Sequence, residues 1–334
     1  MPQQRRLVPI ATISTSPEAE NPMGQPETAI HRVGNATIVK IAELTLDSIP
    51  AGYLYPDSDP ALAEAEGRKL DSASIDPRTG LLRLGVHAWL VRTPTRTVLV
   101  DTASGNDKTR TGSPAFNQLH EPFLARLQAV DTRPEEVDAV LHTHLHVDHV
   151  GWNTQWLNQR WVPTFPKARY IFSARERAYL EALATDEDAA ERIRSEAKLG
   201  PMMCLPDFEF YQDSIAPVVE GGLTHEIVVN GTEVEAGFRY LPSPGHSIDH
   251  ACIAFTSEGE HALFWGDVMH SPMQFAQPVW HSVYCEFPEA ARKSRQWAAS
   301  YAADTDALVL TTHFAGSSAG RVSRTDGGFR WGFV

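Results

Sequence analysis

The stretch Leu141-His142-Thr143-His144-Leu145-His146-Val147-Asp148-His149-Val150-Gly151 constrains this chain more than any other, because it sets four of the fourteen histidines within eight positions. His144, His146, Asp148 and His149 spell HxHxDH. The short apolar run 138–142 reads as a strand, so the motif stands where a strand runs into a loop. Side chains two apart on extended backbone share a face, which groups His144 with His146. A tight turn then brings Asp148 and His149 round to a second, neighbouring point. A lone histidine is more often a packed or solvated residue than a ligand. Four such residues in one short motif point to two adjacent metal sites.

A dinuclear centre needs further ligands, best supplied from strand ends that face a cleft. His246 lies in Ser243-Pro244-Gly245-His246-Ser247 after a strand ending at Leu241, Asp267 follows Trp265-Gly266 after another, and His313 ends the last core strand in Thr311-Thr312-His313. The expected assignment places His144, His146 and His246 around one metal and Asp148, His149 and His313 around the other, with Asp267 bridging. Imidazole and carboxylate donors without thiolate suit Zn, Mn, Fe or Co, and residue type alone does not choose among them.

Around these motifs the chain alternates short β-branched runs with helical periodicities. Residues 1–35 are rich in Pro, Gln, Glu and Ser without period, and read as an arm that is loose or docked on a partner subunit. From residue 36 onward, strands are expected at 36–46, 81–91, 96–101, 138–142, 167–173, 226–229, 233–241, 251–255, 262–265 and 307–312. Helices are expected at 114–130, from the start signal Pro134-Glu135-Glu136, at 174–199 and at 288–303. Two blocks of strands with helices interspersed imply an α/β fold: two sheets face to face under helices, a four-layer αββα sandwich over 36–334.

The charge balance narrows the partners. Twenty-nine Lys and Arg against 42 Asp and Glu give −13, which repels nucleic-acid backbones and anionic lipid. No apolar run reaches the length of a membrane-spanning helix. Cys204, Cys252 and Cys285 form no metal or disulfide spacing, so the chain reads as cytoplasmic. No GxSxG elbow supports a serine nucleophile.

With HTHLHVDH, PGHS, GD and TTH in that order, the sequence resembles the metallo-β-lactamase fold superfamily from Ala36 to Val334. The resemblance implies the αββα fold and two divalent ions, zinc foremost, that share a nucleophilic hydroxide. It also implies a supporting role for Asp101, since Val98-Leu99-Val100-Asp101-Thr102 is similar to the superfamily's Asp-Thr strand end beneath the metals. Within the superfamily the sequence is most similar to the branch of methyl parathion hydrolase and organophosphate-degrading lactonases. That similarity rests on Gly245-His246-Ser247-Ile248-Asp249-His250, on Gly266-Asp267 with Gln274-Phe275, and on His313-Phe314 with the Gly328-Phe329-Arg330-Trp331 ending.

The expected activity is hydrolysis of a neutral, fairly apolar ester or lactone, with phosphotriester hydrolysis as a promiscuous activity and Asp148 or a metal-bound water returning a proton to the leaving oxygen. Acyl-homoserine-type lactonase and hydrolytic dehalogenase are alternatives on the same site. An iron-dependent oxidoreductase of the persulfide dioxygenase kind is the alternative of another class. His270 stands where many acyl-homoserine lactonases carry a tyrosine, a departure that argues against that substrate and suggests a hydrogen-bond donor to a developing oxyanion. Trp152, Trp156, Phe275, Trp280 and Phe314 adjoin the ligand motifs and are expected to wall the pocket, with Lys108 on a solvated loop. The partners expected are a small-molecule substrate and a second copy in a homodimer.

Overall fold

The computed structural model describes residues 15–16 and 29–334. Strands Ala36–Ile49, Leu82–Arg92, Thr97–Val100, Ala139–Leu141, Arg169–Ser173 and Thr224–Ile227 lie side by side in a first sheet, with Thr15–Ser16 and Ile30–Val33 both paired to Ala36–Ile49. Glu233–Glu235, Phe238–Pro242, Ala251–Ser257, Glu260–Phe264, Leu308–Leu310, Ala319–Thr325 and Gly328–Phe333 form the second. Both sheets mix parallel and antiparallel pairs.

The layer order follows from the period-two alternation of side chains. In Thr97–Val100 and Ala139–Leu141, Val98, Val100, Ala139 and Leu141 enter a core shared with Ile253, Phe255 and Phe264 of the other sheet. Leu99 and Val140 point the other way, into a core with Phe123, Leu127 and Leu180. The second sheet repeats the pattern: Ile253 faces inward, while Cys252 and Ala254 face a core closed by Ala298, Ala299 and Ala302 of helix Pro288–Thr305. Each sheet is therefore apolar on both faces, and helices cover the outer ones. This is the expected four-layer sandwich.

Several expected elements change at their boundaries. Instead of one helix over 114–130 there is a short turn at Pro114–Phe116, extended backbone around Asn117, and a helix only at Phe123–Ala129. Gln118 takes a left-handed backbone (φ 52°) and Pro122 opens the later helix, so the apolar spacing is met by a loop and a short helix together. At 134–136 only a single turn forms. The 174–199 stretch divides into Ala174–Thr185 and Glu187–Ala197 at Asp186, whose carboxylate accepts a hydrogen bond from Ala189 N. The 233–241 run folds back at Gly237 (φ 82°) as a hairpin. Within the 1–35 arm, Thr15–Ser16 and Ile30–Val33 are strands of the first sheet; residues 1–14 and 17–28 of that arm lie outside the described residues. Among the described residues, no helix is long and apolar enough to cross a membrane.

Candidate metal centre

The parallel strands Thr97–Val100 and Ala139–Leu141 end at Asp101 and at the HTHLHVDH loop; Glu260–Phe264 and Leu308–Leu310 end at Asp267 and His313. Phe238–Pro242 runs in the same direction as Glu260–Phe264, being antiparallel to the strand between them, and leads to His246. All seven candidate ligands therefore meet at one end of the sandwich. Ala251 N donates to Thr143 O across the gap at 2.9 Å, tying the two sheets there.

Ligand atoms of His144, His146 and His246 lie within 4.8 Å of one another, as do those of Asp148, His149 and His313. Asp267 stands between the groups: its Oδ1 is 3.2 Å from His149 Nε2, and its Oδ2 is 3.2 Å from His246 Nε2 and 2.9 Å from His313 Nε2. A tetrahedral cation with bonds of about 2.0–2.1 Å separates its ligand atoms by about 3.3 Å, close to these spacings. His144 Nε2, His149 Nε2 and Asp267 Oδ1 are also buried without a hydrogen-bond partner. Orphaned buried donor atoms converging on one locus fit a divalent metal pair.

The neighbours of each imidazole fix which nitrogen faces inward. His149 Nδ1 donates to Asp101 Oδ2 at 2.9 Å, His313 Nδ1 to Gly85 O at 2.9 Å, and His146 Nε2 to Glu286 Oε1 at 3.1 Å. Thr143 Oγ1 donates to Asp101 Oδ2, so it accepts from His144 Nδ1 at 3.1 Å. His144 and His246 are held neutral, first by burial and then by adjacent imidazoles, which leaves their lone pairs free for a metal. Asp101 sits beneath the cluster with a left-handed backbone (φ 57°), where its carboxylate also accepts from Thr143 N. His250 accepts from Asp267 N at 3.1 Å and so fixes the backbone of that carboxylate.

The family model of the Metallo-beta-lactamase superfamily matches residues 81–313, most of the chain and every candidate ligand. The chain belongs to the metallo-β-lactamase superfamily. An N-acyl homoserine lactonase of Bacillus cereus is 25% identical over 203 residues, an alignment spanning 57% of this chain and 66% of that protein. Two solved structures share the fold at a TM-score of 0.71. One is the hydrolase AbOPH of the beta lactamase superfamily, 21% identical, covering 92% of this chain and 97% of its own. The other is AidC, a dizinc quorum-quenching lactonase in complex with a product, 18% identical with the same coverage.

A cleft opens beside the cluster, where Asp148, Asp267, His246, His270 and His313 form its floor. Its walls are not the aromatic residues expected from sequence. Trp152 is buried against Phe123, Trp280 packs on Tyr55, and Phe275 and Phe314 join Trp331 in the outer core of the second sheet. Trp156 pairs with Trp161 on the hairpin formed by Thr154–Leu157 and Arg160–Pro163, 48% exposed. Proximity in sequence to a ligand is no guide to direction: these rings follow strand and turn periodicity into cores or solvent. The walls come instead from Leu46, Tyr53, Leu84, Phe116, Leu205 and Tyr284, on segments far apart in the chain. His270 does reach the floor. Its Nε2 is 3.3 Å from Asp267 Oδ2, its ring stacks between His313 and Tyr284, and both ring nitrogens lack a hydrogen-bond partner.

Sequence reasoning missed three glutamates that hold this apparatus: Glu43, Glu286 and Glu176. None lies in a motif, and no local signal marks them. Glu176 Oε1 accepts from Ser247 Oγ and Asp249 N, and so clamps the loop after His246. Glu286→Gln weakens the anchoring of His146; metal affinity measured by competition with a chelator is expected to fall about 10- to 100-fold. Gly151, two residues after His149, is equally constrained: a Cβ there would lie 1.9 Å from Ser104 C and O. Gly151→Ala is expected to cost about 3 kcal/mol, read as a shift in the urea midpoint, because backbone cannot yield as a side chain does.

Lys108 is fully buried rather than solvated. Its Nζ donates to Thr154 Oγ1 at 2.8 Å, lies 3.4 Å from Asp213 Oδ1 and sits over the Trp161 ring. Burial pushes the ammonium down to about 7 against the opposing pull of Asp213. Between pH 7 and the ordinary lysine value of 10.5 the unfolded chain therefore holds the extra proton, and stability rises with pH across that window. The stability of the natural protein relative to Lys108→Met is expected to increase from pH 7 to pH 10 in urea titrations; a flat difference would contradict it.

Proposed function

We propose that the protein is a metal-dependent hydrolase of a neutral, fairly apolar lactone or ester, and that phosphotriester hydrolysis is a promiscuous activity of the same site. The observation that carries this reading is the pair of three-residue ligand sets joined by Asp267 on the floor of a cleft with largely apolar walls. Among the described residues no Lys or Arg lines the cleft, which favours an uncharged acyl compound over a polyanion. The lactonase name of the Bacillus cereus relative supports the lactone.

In this reading His144, His146 and His246 hold one divalent ion and Asp148, His149 and His313 the other, with Asp267 shared. The ions would supply an activated water and polarise the acceptor oxygen. The remaining roles belong to the chain. Asp101, Glu286 and the Gly85 carbonyl keep the ligand imidazoles oriented. His270, with unpartnered ring nitrogens at the cleft floor, donates a hydrogen bond to the oxyanion as the acyl carbon becomes tetrahedral. Asp148, also on the floor, holds the proton that the leaving oxygen takes up.

The test is turnover by metal-quantified protein of aliphatic and aromatic lactones, aryl esters and a phosphotriester, repeated with His149→Ala and after chelation. Two metals per chain are expected, with lactones or esters turned over fastest and the activity lost in the variant and on chelation. Full metal occupancy without hydrolysis, or oxygen consumption with iron bound, would overturn the reading.

A further inference from the structure

Asp267 Oδ2 has three imidazole nitrogens around it: His313 Nε2 at 2.9 Å, His246 Nε2 at 3.2 Å and His270 Nε2 at 3.3 Å. The first contact is a hydrogen bond, whereas His270 Nε2, although close, is not aligned to donate and is left buried without a partner. His149 Nε2 stands in the same relation to the other oxygen, 3.2 Å from Asp267 Oδ1 with both atoms unpartnered. His270 thus meets the shared carboxylate as a candidate ligand does. A nitrogen that is near a carboxylate but off the hydrogen-bond line directs its lone pair to a third point, and two donors on one tetrahedral ion with bonds of about 2.0–2.1 Å stand about 3.3 Å apart.

The His270 ring is held in place rather than free to turn. It stacks between His313, 5.2 Å away with planes at 12°, and Tyr284, 6.2 Å away at 28°. Its backbone N donates to Gln274 Oε1 at 2.8 Å, and Gln274, itself fully buried, donates from Nε2 to Trp280 O at 3.0 Å. Arg295 closes the same loop from helix Pro288–Thr305, its Nε donating to Val268 O at 3.2 Å and its Nη1 to Pro278 O at 2.8 Å. Ligand atoms of His246, Asp267 and His270 lie within 4.8 Å of one another, and His246 is the member that this set shares with His144 and His146.

Resting on the hydrolase reading above, we propose that His270 is itself a metal ligand, binding through Nε2 the ion that His144, His146 and His246 hold. With Asp267 that ion has five donors from the chain, against four for its neighbour from Asp148, His149, His313 and Asp267. Five exceeds the four donors of a closed zinc site, so this position suits an ion that accepts a higher coordination number, Mn, Fe or Co before Zn. With Nε2 on the ion, the ring proton sits on Nδ1, where it serves the hydrogen bond to the substrate oxyanion.

The experiment strips the protein of metal, reloads it with Co(II), and reads the visible ligand-field bands together with the affinity of each ion by competition with a chelator. Those bands weaken as the coordination number rises above four. His270→Phe keeps a ring between His313 and Tyr284 but has no donor, and His270→Ala removes both. Two ions per chain are expected throughout at saturating metal. In both variants one ion is expected to lose at least about 10- to 100-fold in affinity, the cost of losing a partner that merely orients a ligand, while its absorption strengthens and the other ion is unchanged. Equal affinities and identical bands in the natural protein and both variants, with turnover alone reduced, would show that His270 touches only the substrate and overturn the assignment. Equal weakening of both ions, or a loss in His270→Ala that is absent in His270→Phe, overturns it as well, since packing of the ring then accounts for the effect. The expected bands and affinities in a protein that hydrolyses no ester or lactone leave the ligand in place and overturn the hydrolase reading instead.

Discussion

Asp267→Asn is expected to lower hydrolytic turnover by more than about 100-fold, since loss of groups that merely orient ligands already costs about 10- to 100-fold. The reason is geometric. Asp267 places one oxygen 3.2 Å from His149 Nε2 and the other 3.2 and 2.9 Å from His246 and His313, and so stands between both candidate ligand sets. Burial opposes its ionisation, yet the imidazoles of His313, His149 and His246 hold its carboxyl well below the ordinary range. Asparagine keeps the volume but removes the charge and turns one acceptor into a donor facing imidazole lone pairs. Metal per chain, measured by elemental analysis, is expected to fall together with kcat. A variant that keeps both metals and stays within tenfold of natural turnover would show that Asp267 is not shared.

Glu43→Ala should destabilise the fold by about 3–5 kcal/mol, since each buried donor it leaves unpaired costs about 1–3 kcal/mol. Glu43 is fully buried and accepts from Ser104 N at 2.8 Å, Gly105 N at 2.9 Å and Trp152 Nε1 at 2.6 Å. Truncation strands three buried donors and opens a cavity in the first sheet's outer core. Those donors belong to the loop that follows Asp101 and to the turn that follows His149, so the loss should also loosen the bond between His149 and Asp101. Urea unfolding of metal-free protein separates the two effects: a midpoint shift without metal reports the packing loss, and any further shift with metal reports the centre. A cost below 1 kcal/mol would mean that water replaces the carboxylate.

How far the site could be read from sequence depended on how local its causes were. HxHxDH was legible because an extended segment followed by a turn places neighbouring residues by backbone geometry alone. His246, Asp267 and His313 were legible because each directly follows an apolar β run, and the ends of like-directed strands in one sandwich meet. The split of 174–199 was less visible, since a single Asp is tolerated within a helix and Asp186 breaks this one only by capping the next. Periodicity also misled at 114–130, where Phe116 and Phe123 do reach one core, but through a loop.

What the sequence by itself determined is the layer plan and the set of histidines and aspartates that converges at one end of the sandwich: period-two apolar runs specify two-faced sheets, and short-range spacing places candidate donors at strand ends. What only the tertiary structure decided is everything that depends on which distant segments face each other. Glu43 beneath the Asp101 loop, Glu286 behind His146, and Lys108 buried under Trp161 are contacts between residues separated by dozens to more than a hundred positions. A lone charged residue looks the same in sequence whether it is solvated or buried. Its role follows from the desolvation and the partners that packing imposes, and those are properties of the assembled sheets and loops rather than of any one of them.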